Sequence, residues 1–325
     1  MKRYSLIILA FALLLGFTQC KPEPEPENNP DDSRMIPVRF ELPIDNGAKT
    51  DWSGFFQLTN DGTSYTSNIK WSNEDIAYLA LPKTVITSGW SSTVVESEFI
   101  KLVSKFGSDM SMIYFEGEIS MEQAQVFSND NVLTVYHLGN GKAIKNANNK
   151  IKEITMDFNS QDGIRENLKY FHFASTKVKL TRHDTNNDGI PDFITMDNYG
   201  TNKFKHEMAI CYLDLQDVTK LTGTAVVDNS VRIYFDDVLS TYVSEWFTKE
   251  GTDGSITLTG TPSKESFIVI PPSDDAPVTL ECSKGTFKFT SKIKSNTIYY
   301  GRGEENNKIE PLPWTPNPWE IKIRQ

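Results

Sequence analysis

The chain has 325 residues, 38% of them hydrophobic, with 33 basic against 43 acidic side chains and a formal charge of −10. That length suffices for one large domain or two of ordinary size. An acidic balance without basic clusters excludes a surface built for nucleic acid or anionic lipid, since both demand patches of Lys and Arg.

The first stretch carries Lys2 and Arg3, an apolar run from Leu6 to Phe17, and Cys20, where the run gives way to Lys21-Pro22-Glu23-Pro24-Glu25-Pro26-Glu27. About a dozen apolar residues are too few for a membrane-spanning helix, which needs roughly twenty. Residues 1–19 therefore read as a secretory signal that is removed. With Cys20 behind it, the stretch resembles a bacterial lipoprotein signal, cut before a cysteine that then carries the lipid. Phe17, Thr18 and Gln19 depart from the usual box, in which a small residue stands before the cysteine. The resemblance implies acylation of Cys20, palmitate included, and a lipid anchor in the outer membrane, because Lys21 rather than Asp follows. The Glu-Pro run is similar to the surface-export signal of Bacteroidota lipoproteins.

Losing Lys2 and Arg3 with the signal takes the formal charge to −12. Alternating Pro and Glu resists helix and builds no core, so residues 20–34 are expected to be a lipidated cysteine and an extended tether. At ~3.1 Å per residue the tether would hold the folded part roughly 40 Å from the lipid.

Beyond it, Ile36, Val38, Phe40 and Leu42 alternate with Pro37, Arg39 and Glu41. Period two over eight residues predicts a half-buried strand, and its prolines suit an edge. Further short strands are expected at 54–58, 64–71, 76–81, 84–90, 94–103 and 110–118, separated by the Gly, Asn, Asp and Ser that turns require. Ser120-Met121-Glu122-Gln123 matches a capping box and opens one short helix to Phe127. Strands follow at 132–137, 152–158, 170–181, 193–197 and 206–215. After a turn at 215–223 come 231–235, 255–259, 265–270, 278–282, 286–293, 297–300 and, past a Pro-rich stretch, 319–324. The expected architecture is all-β, with two Greek-key-like β-sandwich domains at 35–222 and 223–325.

Cys211 and Cys282 can pair in an oxidising compartment, although cysteines in β-rich sequence are more often small core residues. The sharpest local motif is Asp184-Thr185-Asn186-Asn187-Asp188-Gly189-Ile190-Pro191-Asp192. Oxygen ligands from Asp184, Asn186 and Asp188, the Ile190 carbonyl and Asp192 reproduce most of a Ca²⁺ loop, with Gly189 at the sharp turn. Thr195 stands where an EF-hand has its bidentate Glu, so the motif looks more like the short calcium loops of secreted proteins such as thrombospondin type 3 repeats. A plain polar hairpin turn uses the same residues.

For catalysis there is little. His137, His172, His183 and His206 lack HExxH spacing, and no Gly-x-Ser-x-Gly elbow or P-loop occurs. Asp236-Asp237 and Asp274-Asp275 are adjacent carboxylates that point apart on a strand or turn. The chain is not expected to be an enzyme. Trp52, Trp71, Trp90, Trp246, Trp314 and Trp319 can build a glycan-stacking platform, but most tryptophans are largely buried.

The lipoprotein signal, Ile36-Pro37-Val38-Arg39-Phe40, Phe204-Lys205-His206-Glu207-Met208-Ala209-Ile210, Gly254-Ser255-Ile256-Thr257-Leu258-Thr259-Gly260 and Ile268-Val269-Ile270-Pro271 together resemble the fimbrillin family of Bacteroidota. That resemblance implies a fimbrial subunit or fimbria-associated adhesin at the cell surface, with other fimbrial subunits or a host surface ligand as partners. It further implies proteolytic removal of the first strand, here after Arg34 or Arg39, and assembly by β-strand addition. Ile321 and Ile323 would be the plugs of the donated strand. The alternative from another class is a surface glycan-binding lipoprotein, which predicts exposed, coplanar tryptophans.

Overall fold

The computed structural model describes residues 34–43, 51–58, 64–71, 73–88, 91–107, 112–199, 204–214, 217–260, 265–275, 278–302, 308–311 and 320–322. The signal, Cys20 and the tether as far as residue 33 lie outside these residues.

The protein is all-β. Its strands in chain order begin with β1 (Met35–Pro43), β2 (Asp51–Leu58), β3 (Ser64–Lys70), β4 (Ile76–Leu81), β5 (Thr84–Ser88), β6 (Ser91–Val95), β7 (Glu98–Phe106) and β8 (Met112–Ser120). After helix α1 (Met121–Val126) come β9 (Val132–Leu138), β10 (Lys142–Lys145), β11 (Ile151–Asp157), β12 (Ser160–Gln161), β13 (Phe173–His183), β14 (Phe193–Asn198), β15 (Lys205–His206), β16 (Ala209–Asp214) and β17 (Lys220–Leu221). The remainder are β18 (Ser230–Asp236), β19 (Thr241–Phe247), β20 (Ile256–Leu258), β21 (Ser266–Ile270), β22 (Thr279–Cys282), β23 (Gly285–Phe289), β24 (Thr297–Arg302), β25 (Lys308–Pro311) and β26 (Glu320–Lys322).

The capping box of α1 forms as its residues require. Gln123 N donates to Ser120 Oγ at 3.2 Å, and Ser120 N donates to Gln123 Oε1 at 2.7 Å. The expected strand at 170–181 starts later, because Arg165–Phe171 is a 3₁₀ helix that delivers the chain to β13.

Twelve strands make one large sheet, whose main path runs β19-β18-β11-β7-β4-β9-β13-β14-β1-β8. Strand β8 also pairs with β7, so seven strands, β7-β4-β9-β13-β14-β1-β8, close into a ring. Six strands, β21-β16-β24-β25-β23-β22, form a second sheet, and β12-β20-β17 a short third one.

Side-chain parity explains how the sheets stack. In β4, Ala77, Leu79 and Leu81 face the interior of the ring while Tyr78 and Ala80 face the opposite way. In β16 and β21, Ile210, Tyr212, Phe267 and Val269 meet that second face, and Cys211, Leu213, Ile268 and Ile270 turn to a third core. Strands buried on both faces are continuously apolar, as β4, β16 and β21 are. Three cores thus alternate with two sheets.

The sheets do not divide at residue 222. Strands β18 and β19 lie beyond it yet extend the large sheet through β11, whereas β16 lies before it and belongs to the six-stranded sheet. The described residues from Ile36 onward form one compact unit.

Candidate functional site: the slot of the first strand

Alternation in β1 sends one residue in two into the ring. Ile36, Phe40 and Leu42 are fully buried and Val38 is 2% exposed, whereas Pro37 and Arg39 face outward. Burying four such side chains stabilises the seated strand by roughly 1.5–3 kcal/mol each. Strand β1 is an interior strand, not the edge its prolines suggest. It lies between β14 and β8 and runs parallel to β14, with Val38 opposite Ile194 and Phe40 opposite Met196. Pro37 and Pro43 stand near its two ends, where a missing N–H disturbs the ladder least.

Inside the ring Phe40 packs on Phe115 of β8 and on Phe204, with ring centroids 6.3 and 6.1 Å away. Trp71 touches the same two rings at 4.9 and 5.2 Å, nearly perpendicular to each. Ile113 and Phe115 of β8 and Ile194 and Met196 of β14 complete the walls, all 0–1% exposed. Taken out of this slot, β1 would leave an apolar cleft flanked by two strand edges.

On the outer surface Arg39 reaches Glu116 of β8, donating from Nε at 3.0 Å, and its guanidinium covers the Tyr114 ring at 4.6 Å. Lys105 donates to the other Glu116 oxygen at 2.8 Å. Lys105 first, then Arg39, hold the Glu116 carboxyl below the usual carboxylate range against the effect of burial. A groove of about 600 Å³ runs beside these groups, lined by Pro37, Arg39, Glu41, Glu116, Glu118 and Phe193. Arg34 and Arg39 therefore differ as cleavage points. Arg34 precedes the strand, while the Arg39 backbone stands opposite Thr195 within the sheet, so a protease reaches its peptide bond only after the strand opens.

Of the expected donor residues, Ile321 sits in β26, which pairs antiparallel with β3 of the same chain, opposite Tyr65. Ile323 lies outside the described residues.

The loop at 184–192 closes on its own hydrogen bonds. Asp184 accepts from the amides of Asp188 and Gly189 at 3.2 and 2.8 Å, Asp188 from Ile190 N at 2.8 Å, and Asp192 from Thr185 N at 2.8 Å. Asn186 donates its side-chain amide to Asp188 at 2.9 Å. Gly189 has φ +86°, the left-handed turn its place in the motif predicts. Among the described residues no three His, Cys, Asp or Glu side chains are grouped to hold a metal ion.

Other candidates are dispersed. His183 Nε2 is 2.8 Å from Thr195 Oγ1 and its ring stacks on Phe193 at 4.3 Å. Asp236 accepts from the Val238 and Leu239 amides, Asp237 pairs with Lys83 at 3.2 Å, and Asp274 pairs with Lys292 at 3.6 Å. Cys211 and Cys282 are both free thiols, the first buried in the third core and pushed up in pKa by that burial. Trp71 is 4% exposed, and Trp246 packs on Phe158 at 5.1 Å. The side chains of Trp52, Trp90, Trp314 and Trp319 lie outside the described residues.

Sequence reasoning did not find the grouping of His137, His172 and His206, all buried around one point of the ring wall. Parity carried a signal for two of them. His137 is in phase with Leu133 and Val135, and His206 with Phe204, three residues of the ring interior.

No protein-family model matches the sequence, and no curated protein matches it. Among solved structures, the chain is similar to a protein of Bacteroides uniformis proposed to act in cell adhesion, with TM-score 0.42 and 10% identity over 82% of this chain and 91% of that one. It is also similar to the fimbrial anchor protein Mfa2 of Porphyromonas gingivalis, with TM-score 0.32 and 10% identity over 90% of this chain and 99% of the other. Likeness at these values assigns no role to the chain.

Proposed function

We propose that the protein is a cell-surface lipoprotein of a fimbria-like assembly and that β1 is its exchangeable strand. The observation that supports this is the seat of β1. A strand directly behind the expected lipid tether fills an interior place in a closed ring, with four apolar plugs in a cleft shaped for them. Main-chain ladders on both sides supply affinity that is indifferent to sequence, and the alternate pockets supply the choice of strand. Cutting after Arg34 frees β1 from the lipid but leaves it seated; cutting after Arg39 splits it and opens half the slot. The partner is then a strand from another subunit, with apolar residues at alternate positions. Donation of the chain's own Ile321 and Ile323 requires β26 to leave β3 first. The loop at 184–192 belongs to this reading as a Ca²⁺ clamp on the turn between β13 and β14, the strand against which β1 lies.

Sequencing the amino terminus of the protein taken from its native cell surface tests the proposal. A start at Phe40, or at Met35 with the chain's own β1 displaced, together with a foreign strand that co-purifies, is the expected result. A lipid-blocked start at Cys20 on every molecule makes the protein a permanent anchor or receptor and defeats strand exchange.

A further inference from the structure

Three imidazoles occupy a part of the ring wall where the neighbouring strands carry alanine. His137 of β9 stands opposite Ala77 of β4 and Ala174 of β13, and Ala174 also stands opposite His206 of β15. Those methyl-sized neighbours leave room for the rings. His172 Nε2 lies 2.8 Å from His206 Nδ1, and the His137 and His172 centroids are 5.0 Å apart. All three residues are at least nine-tenths buried.

The Nδ1 of His137 is 2.8 Å from the Ile76 carbonyl oxygen. A carbonyl only accepts, so Nδ1 carries the proton and Nε2 presents a lone pair. That Nε2 and the neighbouring Trp71 Nε1 are both buried without a hydrogen-bond partner. Trp71 meets His137 edge-on at 4.9 Å, and through Phe115 and Phe204 it meets Phe40 of β1. An unbroken line of rings connects the histidines to the plug of the first strand.

We propose that this histidine chain is an acid-sensitive latch on β1: protonating it loosens the aromatic block that seats Phe40, and the strand leaves its slot more readily in mildly acidic surroundings. The use of such a latch rests on the reading of β1 as an exchangeable strand; the latch itself is a property of the isolated chain. The charges facing the cluster oppose its protonation more than they help it. Asp75, ahead of β4, favours the charged form of His137, but His172 and His206 face one another and His137. Glu207, next to His206, is engaged by Ser175 Oγ at 2.5 Å. A cation formed on His172 or His206 is buried beside other imidazoles, so the relief available is movement of the rings packed on it.

Hydrogen exchange of the full mature chain, read by mass spectrometry and corrected for intrinsic rates, tests the latch without any partner or protease. His206 is held down to about 4 by burial, and in an opened form it titrates near ~6.5, so a change from pH 7.5 to 5.0 favours opening by roughly 30-fold from this residue alone. Expected is a loss of protection of at least that order in β1, through an opening that costs less and depends on urea much less than the global unfolding that β16 and β21 report. A variant carrying H137N, H172Q and H206N, which keeps hydrogen-bonding atoms near the same places, is expected to abolish the difference. Protection of β1 that is unchanged at pH 5.0 overturns the proposal, as does the same pH response in the variant. In the wild type alone, exchange of β1 at pH 5.0 with the same opening free energy and urea dependence as β16 and β21 means general acid unfolding and overturns it too. Absence of strand exchange at the cell surface alongside a working latch would instead remove only the function proposed above.

Discussion

His206 is held at about 4, His172 well below the ordinary histidine value, and His137 below it as well. Burial is the main cause at all three; neighbouring imidazoles add to it at His172 and His206, while Asp75 opposes it at His137. Between ~6.5 and the lowered folded values the unfolded chain binds more protons than the folded one. The histidines therefore contribute fully to stability above ~6.5, and the contribution is lost as pH falls toward 4. The midpoint of urea unfolding is expected to drop steadily from pH 7 to pH 5, and H206N to flatten that slope. A second residue-scale expectation concerns Glu98, 6% exposed, which accepts from Lys150 at 2.9 Å and from Gln123 of α1. Lys150→Met leaves a buried carboxylate with one partner fewer and is expected to cost about 1–3 kcal/mol in urea titration. None of these partners is legible from sequence spacing. Lys150 is 52 residues from Glu98, and only the pairing of β11 with β7 brings the two together.

At the scale of elements, β1 was the most legible part of the chain, because strict alternation of Ile36, Val38, Phe40 and Leu42 has one structural meaning. Its neighbours were not legible, since a parallel pairing with β14 links residues more than 150 positions apart. Phe40→Ala removes the ring that bridges Phe115 and Phe204 and is expected to cost about 3–5 kcal/mol by urea unfolding. The α1 capping box could be read directly because its two hydrogen bonds are local. By contrast β19 was missed: Tyr242, Val243, Trp246 and Phe247 are all half-buried and break the two-residue period, as suits a strand that closes one end of a sheet and curls over Phe99. The loop at 184–192 supplies the remaining test at this scale. Calorimetry with Ca²⁺ is expected to show binding that Asp188→Ala removes; equal melting temperatures with Ca²⁺ and with chelator would dismiss the clamp.

For the whole molecule, fold class could be read from strand count and turn chemistry, but the layering could not. Strand spacing becomes regular after residue 223, which suggests a boundary there, yet the large sheet takes strands from both sides of it. Layered cores also sort the thiols. Cys211 lies at 0% exposure in the third core, whereas Cys282 is at its rim. A thiol reagent added to the native mature protein is expected to modify Cys282 and spare Cys211, and to reach both in denaturant.

Ring closure carries one more implication, for the protein's passage to its place of work. A sheet that closes on itself has no unpaired edge, and an unpaired apolar edge is what makes β proteins stick to one another. With β1 seated, the seven-strand ring presents none; with β1 gone, β8 and β14 each present a row of bare amides beside a cleft lined by phenylalanine. The first strand thus serves as a stopper as well as a part of the wall. A chain carrying it keeps that part of its surface closed to other strands, and drawing the stopper exposes the two edges.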